Sequence, residues 1–200
     1  MKKLLMIAAF SFVSLQALSY DEMLEQEYIE PSSVDCRNAE ETIEVVYLCM
    51  SKDAQQGVAI EDNFYSSYYH IVLARLDTQD KKEFEKIGKQ MPEDRRIKLG
   101  EENNSWNKLR AEEGVVNSAD YNEAMLETLE IVYLKYIRKI TDFIYDNPKY
   151  KYIFDEIFAP NSKEYYELIN SDRQFLLLDK IIDKAAKDNL IDKTGKLIQK

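Results

Sequence analysis

The chain has 200 residues, 32% of them charged, and a formal net charge of −10. That length suits one domain, or one domain with an appendage. The acidic balance, with no basic patch to override it, argues against a phosphate-backbone binder, so no nucleic-acid partner is expected.

The first element reads as a targeting segment. Met1-Lys2-Lys3 precedes an apolar run from Leu4 to Leu18, and Ala17-Leu18-Ser19 stands before Tyr20. A basic start, an apolar centre and a small-x-small site predict a cleavable signal peptide over residues 1–19. The run is shorter than the roughly 17–25 residues of a membrane span. No second long apolar stretch follows, so no stable membrane insertion is expected after cleavage. Tyr20 and Asp21 occupy the place where a lipoprotein needs a cysteine. The expected location is periplasmic or secreted. Cleavage removes Lys2 and Lys3 and no acid, moving the charge from −10 to −12.

Cys36 and Cys49 are the two cysteines. Export favours a disulfide between them. On one continuous helix they would stand roughly 20 Å apart, against the roughly 4.4–6.8 Å that a disulfide allows. The bond therefore requires a helix that begins after Cys36, with the preceding chain folded back toward Cys49. Two free thiols are the alternative.

Beyond this point apolar residues recur at helical spacing. Ala39, Ile43, Val46, Tyr47, Met50 and Ala54 form one stripe, ending near Gly57. Tyr65, Tyr69, Val72, Leu73 and Leu76 form a second, widened by Ile60, Phe64, Tyr68 and Ile71. Asp77 and Thr78 offer a break and a new cap. The charged stretch to Pro92 predicts a short exposed helix or a long loop. A further helix is expected from Pro92 to Glu113, interrupted at Gly100. Gly114 to Ser118 is the best internal boundary, and Ser118 opens a helix reaching about Tyr145. Its apolar face, Met125, Leu129, Val132, Tyr136, Ile140 and Phe143, is widened by Leu126, Tyr133, Leu134, Ile137 and Ile144. It is the predicted centre of the core. Asn147-Pro148 stops it. A short aromatic helix from Tyr150 to Phe158 follows, then a turn or two capped by Asn161 or Ser162. Ser171-x-x-Gln174 is a capping-box pattern opening a last helix through Ala185. Residues 190–198 suggest a small hairpin turning at Gly195, or a frayed tail, since a lone hairpin is marginal without packing partners. The predicted fold is an all-α, antiparallel helix bundle.

Residues suited to catalysis are few. His70 is the single histidine and has no partner at recognisable spacing, which favours a packing or surface role. Glu61-Asp62 and Glu101-Glu102 read as surface charges. The tyrosines at helical spacing read as core, with hydroxyls at the rim. Asn103-x-Ser105 is a glycosylation acceptor pattern of the kind that arises by chance. No phosphate loop, Cys-x-x-Cys or His-Glu-x-x-His motif is present. No catalytic residue, cofactor or metal is therefore expected, and the chain is not expected to be an enzyme.

One constellation stands above composition. Asp35-Cys36-x-Asn38-Ala39-x-x-Thr42-x-Glu44, with Cys49 after it, resembles the start of the bacterial lysozyme-inhibitor (LprI-like) domain. Asp62-x-x-Tyr65-Ser66-x-x-Tyr69-x-x-Val72-Leu73-Ala74-Arg75-Leu76 is similar to that family's Asp-x-x-Leu-Asn-x-x-Tyr-x-x-Leu-Leu-x-x-Leu helix. Glu102-Asn103-x-x-Trp106-x-x-x-Arg110 is similar to its Trp–Arg element. The match spans about residues 35–113, so the resemblance implies a helical domain over 20–115. Residues 116–200 then form a helical extension packing on it. It also implies a binding module whose partner is a protein, a cationic lysozyme in the specific version, inhibited without covalent chemistry. The segment Gln79–Lys98 is the expected contact face. Asp62, Tyr69, Trp106 and Arg110 are the motif residues. Trp106 is expected to fill a seam between helices, with Arg110 over its ring or paired with Asp62, so that the four maintain the fold. A periplasmic assembly factor docking through Leu129–Ile140, and a hydrolase with paired carboxylates, are the competing readings.

Overall fold

The computed structural model describes residues 50–114, 118–171 and 177–198. The signal segment, Cys36, Cys49 and Gln174 of the capping box lie outside the described residues. Within them the protein is all-α: α1 (Lys52–Arg75), α2 (Thr78–Glu113), α3 (Ser118–Tyr145), α4 (Lys151–Ile157), α5 (Ser162–Ile169) and α6 (Leu177–Lys187).

Helix α1 begins where the Ser51 hydroxyl accepts a hydrogen bond from the Ala54 amide. It runs through Gly57 without a break, so the two stripes expected to separate there do not. Gly57 is buried in the helix interior. Packing of the flanking stripe outweighs its poor intrinsic propensity, about 1 kcal/mol against alanine.

The largest departure from expectation is α2. It is one helix of 36 residues, continuous through Gly88, Pro92 and Gly100. Its inward row is Phe84, Gly88, Met91, Arg95, Leu99 and Asn103, at three- and four-residue spacing across all three breakers. Pro92 lies on the exposed side, and the one donor it withdraws leaves the Gly88 carbonyl without its helical partner. Asp77 precedes the first turn as expected. Its carboxylate is engaged by Lys149 and makes no side-chain cap bond. Gly114 ends the helix in the left-handed conformation (φ 78°), its amide returning to the Arg110 carbonyl.

Helix α3 is the central element, as its apolar face predicts. Met125, Leu129, Val132, Tyr133, Leu134, Tyr136, Ile137, Ile140 and Ile144 are all buried. The Tyr68 hydroxyl meets Thr141, and Asn122 accepts from the Ser51 amide. Helices α1 and α3 therefore run in the same direction. Asp94 meets Tyr136 and Asn103 meets Tyr121, so α2 runs antiparallel to α3.

The later elements close the bundle. Phe158, after α4, lies edge-on to Tyr68 of α1 and stacks on Tyr165 of α5. Arg138 of α3 donates to the Ile169 and Ser171 carbonyls, satisfying the end of α5. The C-terminal hairpin is present as a single antiparallel bridge between Ile191 and Leu197, turning at Gly195 (φ 85°). It is pinned to α1 by Asn63 to the Thr194 carbonyl (2.9 Å) and by the Leu197 amide to Ser67 Oγ (2.9 Å). One core cluster runs from Met50 to Leu197.

Candidate functional site

Two polar constellations are built into this bundle. The outer one lies where α1, α2 and α3 meet. Arg95 stands four residues from both Met91 and Leu99, so the buried row of α2 carries its guanidinium inward. Its Nη1 donates to Asp62 Oδ1 (3.1 Å) and to the Tyr133 hydroxyl oxygen (2.9 Å). Tyr133 in turn donates to the same Asp62 oxygen (2.9 Å). Carboxylate, guanidinium and phenol thus form a closed triangle drawn from three helices.

Beside it, Asp94 Oδ2 accepts from Lys135 Nζ (2.6 Å) and Tyr136 Oη (2.8 Å). These bonds hold the Asp94 carboxyl below its ordinary range. Lys139 places its ammonium 4.4 Å from the Tyr136 ring centre. Burial pushes the Tyr133 phenol well up, so it remains a donor at neutral pH. Each charge here has an opposite charge or a donor beside it.

The inner constellation is different. Glu61, on α1, is 3% exposed, and Glu130, on α3, is 5% exposed. Glu130 Oε1 accepts from the Leu178 amide (2.9 Å), satisfying an open donor at the start of α6. Glu61 Oε2 is buried with no hydrogen-bond partner. Burial pushes the Glu61 carboxyl well above its ordinary range, and the negative fields of Asp179 from α6 and of Glu130 push it further. Among the described residues no group of three or more His, Cys, Asp or Glu side chains is placed to hold a metal ion.

The four motif residues are spread along the α2 interface. Asp62 is the outer carboxylate. Tyr69 stacks on Phe84 at 5.0 Å and leaves no room for a side chain at Gly88, where a Cβ would lie 2.5 Å from its ring. Trp106 is half-buried, donates to Glu102 (2.9 Å) and sets its ring edge-on to Tyr121. Arg110 lies in the last turn of α2, close enough to Tyr121 to influence its phenol. The expected pairing of Asp62 with Arg110 gives way to Asp62 with Arg95. Those two arginines are fifteen residues apart on one helix, roughly 22 Å. The motif residues are thus divided between two stretches of that interface and do not converge.

Residue type places Glu61 at the surface beside Asp62, but the structure buries it. Its helical neighbours at seven residues, Ala54 and Tyr68, are both buried, and that spacing carries the signal. Glu130 is flagged in the same way by Leu126, Tyr133, Leu134 and Ile137. Glu101 is exposed, as read from its type. His70 is an exposed residue of α1 with its ring against Tyr69. Asn103, the glycosylation acceptor, is buried and accepts from Tyr121 (3.1 Å), so the folded protein does not present it.

Comparison of the chain with protein-family models, with curated proteins and with solved structures returns no match. The residues themselves therefore carry the functional reading.

Proposed function

We propose that this protein is an exported binding module that engages a protein partner without covalent chemistry, through the outer side of α2. The observation that carries this is the setting of that helix. One row of α2 is spent on the core. Much of the rest of its 36 residues stands in solvent, with Ile97 (41% exposed) opposite that row and Leu109 (39% exposed) near the helix end, both set among charges. A long, pre-ordered helical surface with isolated apolar anchors suits protein recognition, because little ordering entropy is lost on docking.

The specific version, inhibition of a cationic lysozyme, needs a different electrostatic source from the one expected. Gln79–Lys98 carries seven Lys and Arg against five Asp and Glu, so it does not attract a cation. Residues 20–49 carry nine Asp and Glu against one Arg, and the long-range pull on a basic partner comes from there.

The competing readings draw less support. The Leu129–Ile140 face is covered by the chain's own core, leaving Ile131 (43% exposed) as its outward residue. Glu61 and Glu130 are too enclosed for a substrate to reach, which argues against paired-carboxylate hydrolysis.

Purified protein lacking residues 1–19 is expected to slow cell-wall lysis by a basic lysozyme at low salt, with the effect fading as salt rises. Absence of inhibition at micromolar protein across several lysozyme types removes the lysozyme version. An Ile97→Asp variant that binds a partner as tightly as the parent removes the α2 surface.

A further inference from the structure

We propose that the outward row of α2 takes an acidic amphipathic helix of a protein partner, whose carboxylates meet a line of lysines and whose apolar side meets Ile97. This rests on the reading of that side of α2 as the binding face, and it names the chemistry that fits there.

Helical phase defines the row. Lys82, Lys86, Lys89, Glu93 and Ile97 follow one another at four, three, four and four residues, and Lys108 lies about three turns further on. At about 100° per residue they share one side of α2, roughly opposite the inward row from Phe84 to Asn103. Each of them is exposed. Glu93 is the acid of the row, and Arg96 beside it donates to both of its carboxylate oxygens (3.1 and 2.7 Å). Lys89 approaches Glu85 only to 3.9 Å, with both side chains exposed. Among the described residues no ion pair engages Lys82, Lys86 or Lys108.

Charge segregation decides what the row receives. Four lysines and Arg96 against Glu93 give it a net charge of +4, so the remainder of a chain carrying −10 carries −14. The row is one helix wide, about 10–12 Å, and runs roughly 39 Å from Lys82 to Lys108. The exposed acids Glu83, Glu101 and Glu112 flank it. An extended anionic surface, such as a lipid bilayer or a nucleic acid, would meet those flanks within a Debye length of about 8–10 Å. A ligand no wider than the row avoids them.

A second helix laid along α2 has that width. Carboxylates at three- and four-residue spacing on it match lysines at the same spacing. Ile97 supplies the apolar contact. Gly100 lies three residues on, and nothing stands within 4 Å of the place a Cβ would take there, so a partner side chain can close on the backbone. The row stands exposed on the folded chain, which favours a separate partner over the chain's own acid-rich residues 20–49. A partner that is basic overall, as in the lysozyme version, has to present an acidic helix to this row.

The test is fluorescence anisotropy of a labelled synthetic peptide, an amphipathic helix with glutamates at four- and three-residue spacing beside a leucine face. It is titrated with purified protein lacking residues 1–19. The parent is expected to bind the peptide at micromolar concentration in low salt, and several-fold more weakly in physiological salt. Lys82→Glu combined with Lys86→Glu is expected to weaken binding at least about tenfold, with an unchanged circular dichroism spectrum. Lys193→Glu combined with Lys196→Glu makes the same change of net charge on the exposed hairpin. It is expected to alter binding less than about twofold. No binding by the parent, an equal loss in both double variants, or tighter binding to phosphatidylglycerol vesicles than to the peptide overturns the proposal. So do amide resonances of residues 20–49 that shift on the α2 substitutions with no peptide present, because the chain's own acids then occupy the row. Failure here beside a loss of partner binding in Ile97→Asp removes the acidic helix and leaves the α2 face standing.

Discussion

Glu61 and Asp62 are adjacent in sequence and opposite in circumstance. Asp62 faces the seam between α2 and α3, where Arg95 of α2 and Tyr133 of α3 both donate to it. Glu61 is turned about 100° around the same helix, toward α3 and α6, where it meets two more acids. One carboxylate is paired with a guanidinium and a phenol, and burial holds the other toward its neutral form. The lesson is that helical phase, rather than residue type, decides what a charged residue does in this bundle.

The hairpin over the inner region is the place to break the contrast hardest. A Gly195→Ala substitution meets both a positive φ and a Cβ position 2.8 Å from the Ile60 carbonyl oxygen. Left-handed strain and overpacking together predict a loss of about 2–4 kcal/mol, measured by urea unfolding. On the outer side, Tyr133→Phe removes the hydroxyl shared by Asp62 and Arg95 while keeping the ring in the core. A loss of about 1–2 kcal/mol is expected, because two charged groups lose a bridging partner. Gly100→Ala sharpens the picture from the opposite direction. Nothing lies within 4 Å of the place its new Cβ would take, so the helix gains about 0.5–1 kcal/mol with no clash. A loss there would mean that α2 is not a continuous helix at that point.

Much of the frame was legible because the relevant signals were local. The α3 stripe, the break at Asp77, the left-handed Gly114 and the turn at Gly195 each follow from spacing or from a single residue's backbone preference. The continuity of α2 was not legible by that route. Pro92 and Gly100 argue for interruption, and only the inward row from Phe84 to Leu99, packed on α3, overrides them. Arg95 was hidden for the same reason, since a residue inside a supposed loop or helix start has no assigned face. Glu61 was hidden by its type. Its phase with Ala54 and Tyr68 pointed inward, but a carboxylate at such a position is ordinarily read as solvated. The division of Trp106 and Arg110 from Asp62 depends on how α1 and α2 pair, which sequence spacing within each helix does not encode.

The outer and inner regions also respond to pH with opposite signs. Asp94, held low by Lys135 and Tyr136, contributes stability that is present above its ordinary value of 3.8 and lost as pH falls through its folded value. The pair is partly exposed, so the contribution stays below ~1 kcal/mol. Glu61 contributes stability that is lost as pH rises. Unfolding free energy from urea titrations between pH 3 and pH 8 tests this division most directly, in the parent, Asp94→Asn and Glu61→Gln proteins. The expected result is a profile whose acid side is flattened by the Asp94 change and whose alkaline side is flattened by the Glu61 change. A Glu61→Gln profile running parallel to the parent from pH 5 to pH 8 would contradict it.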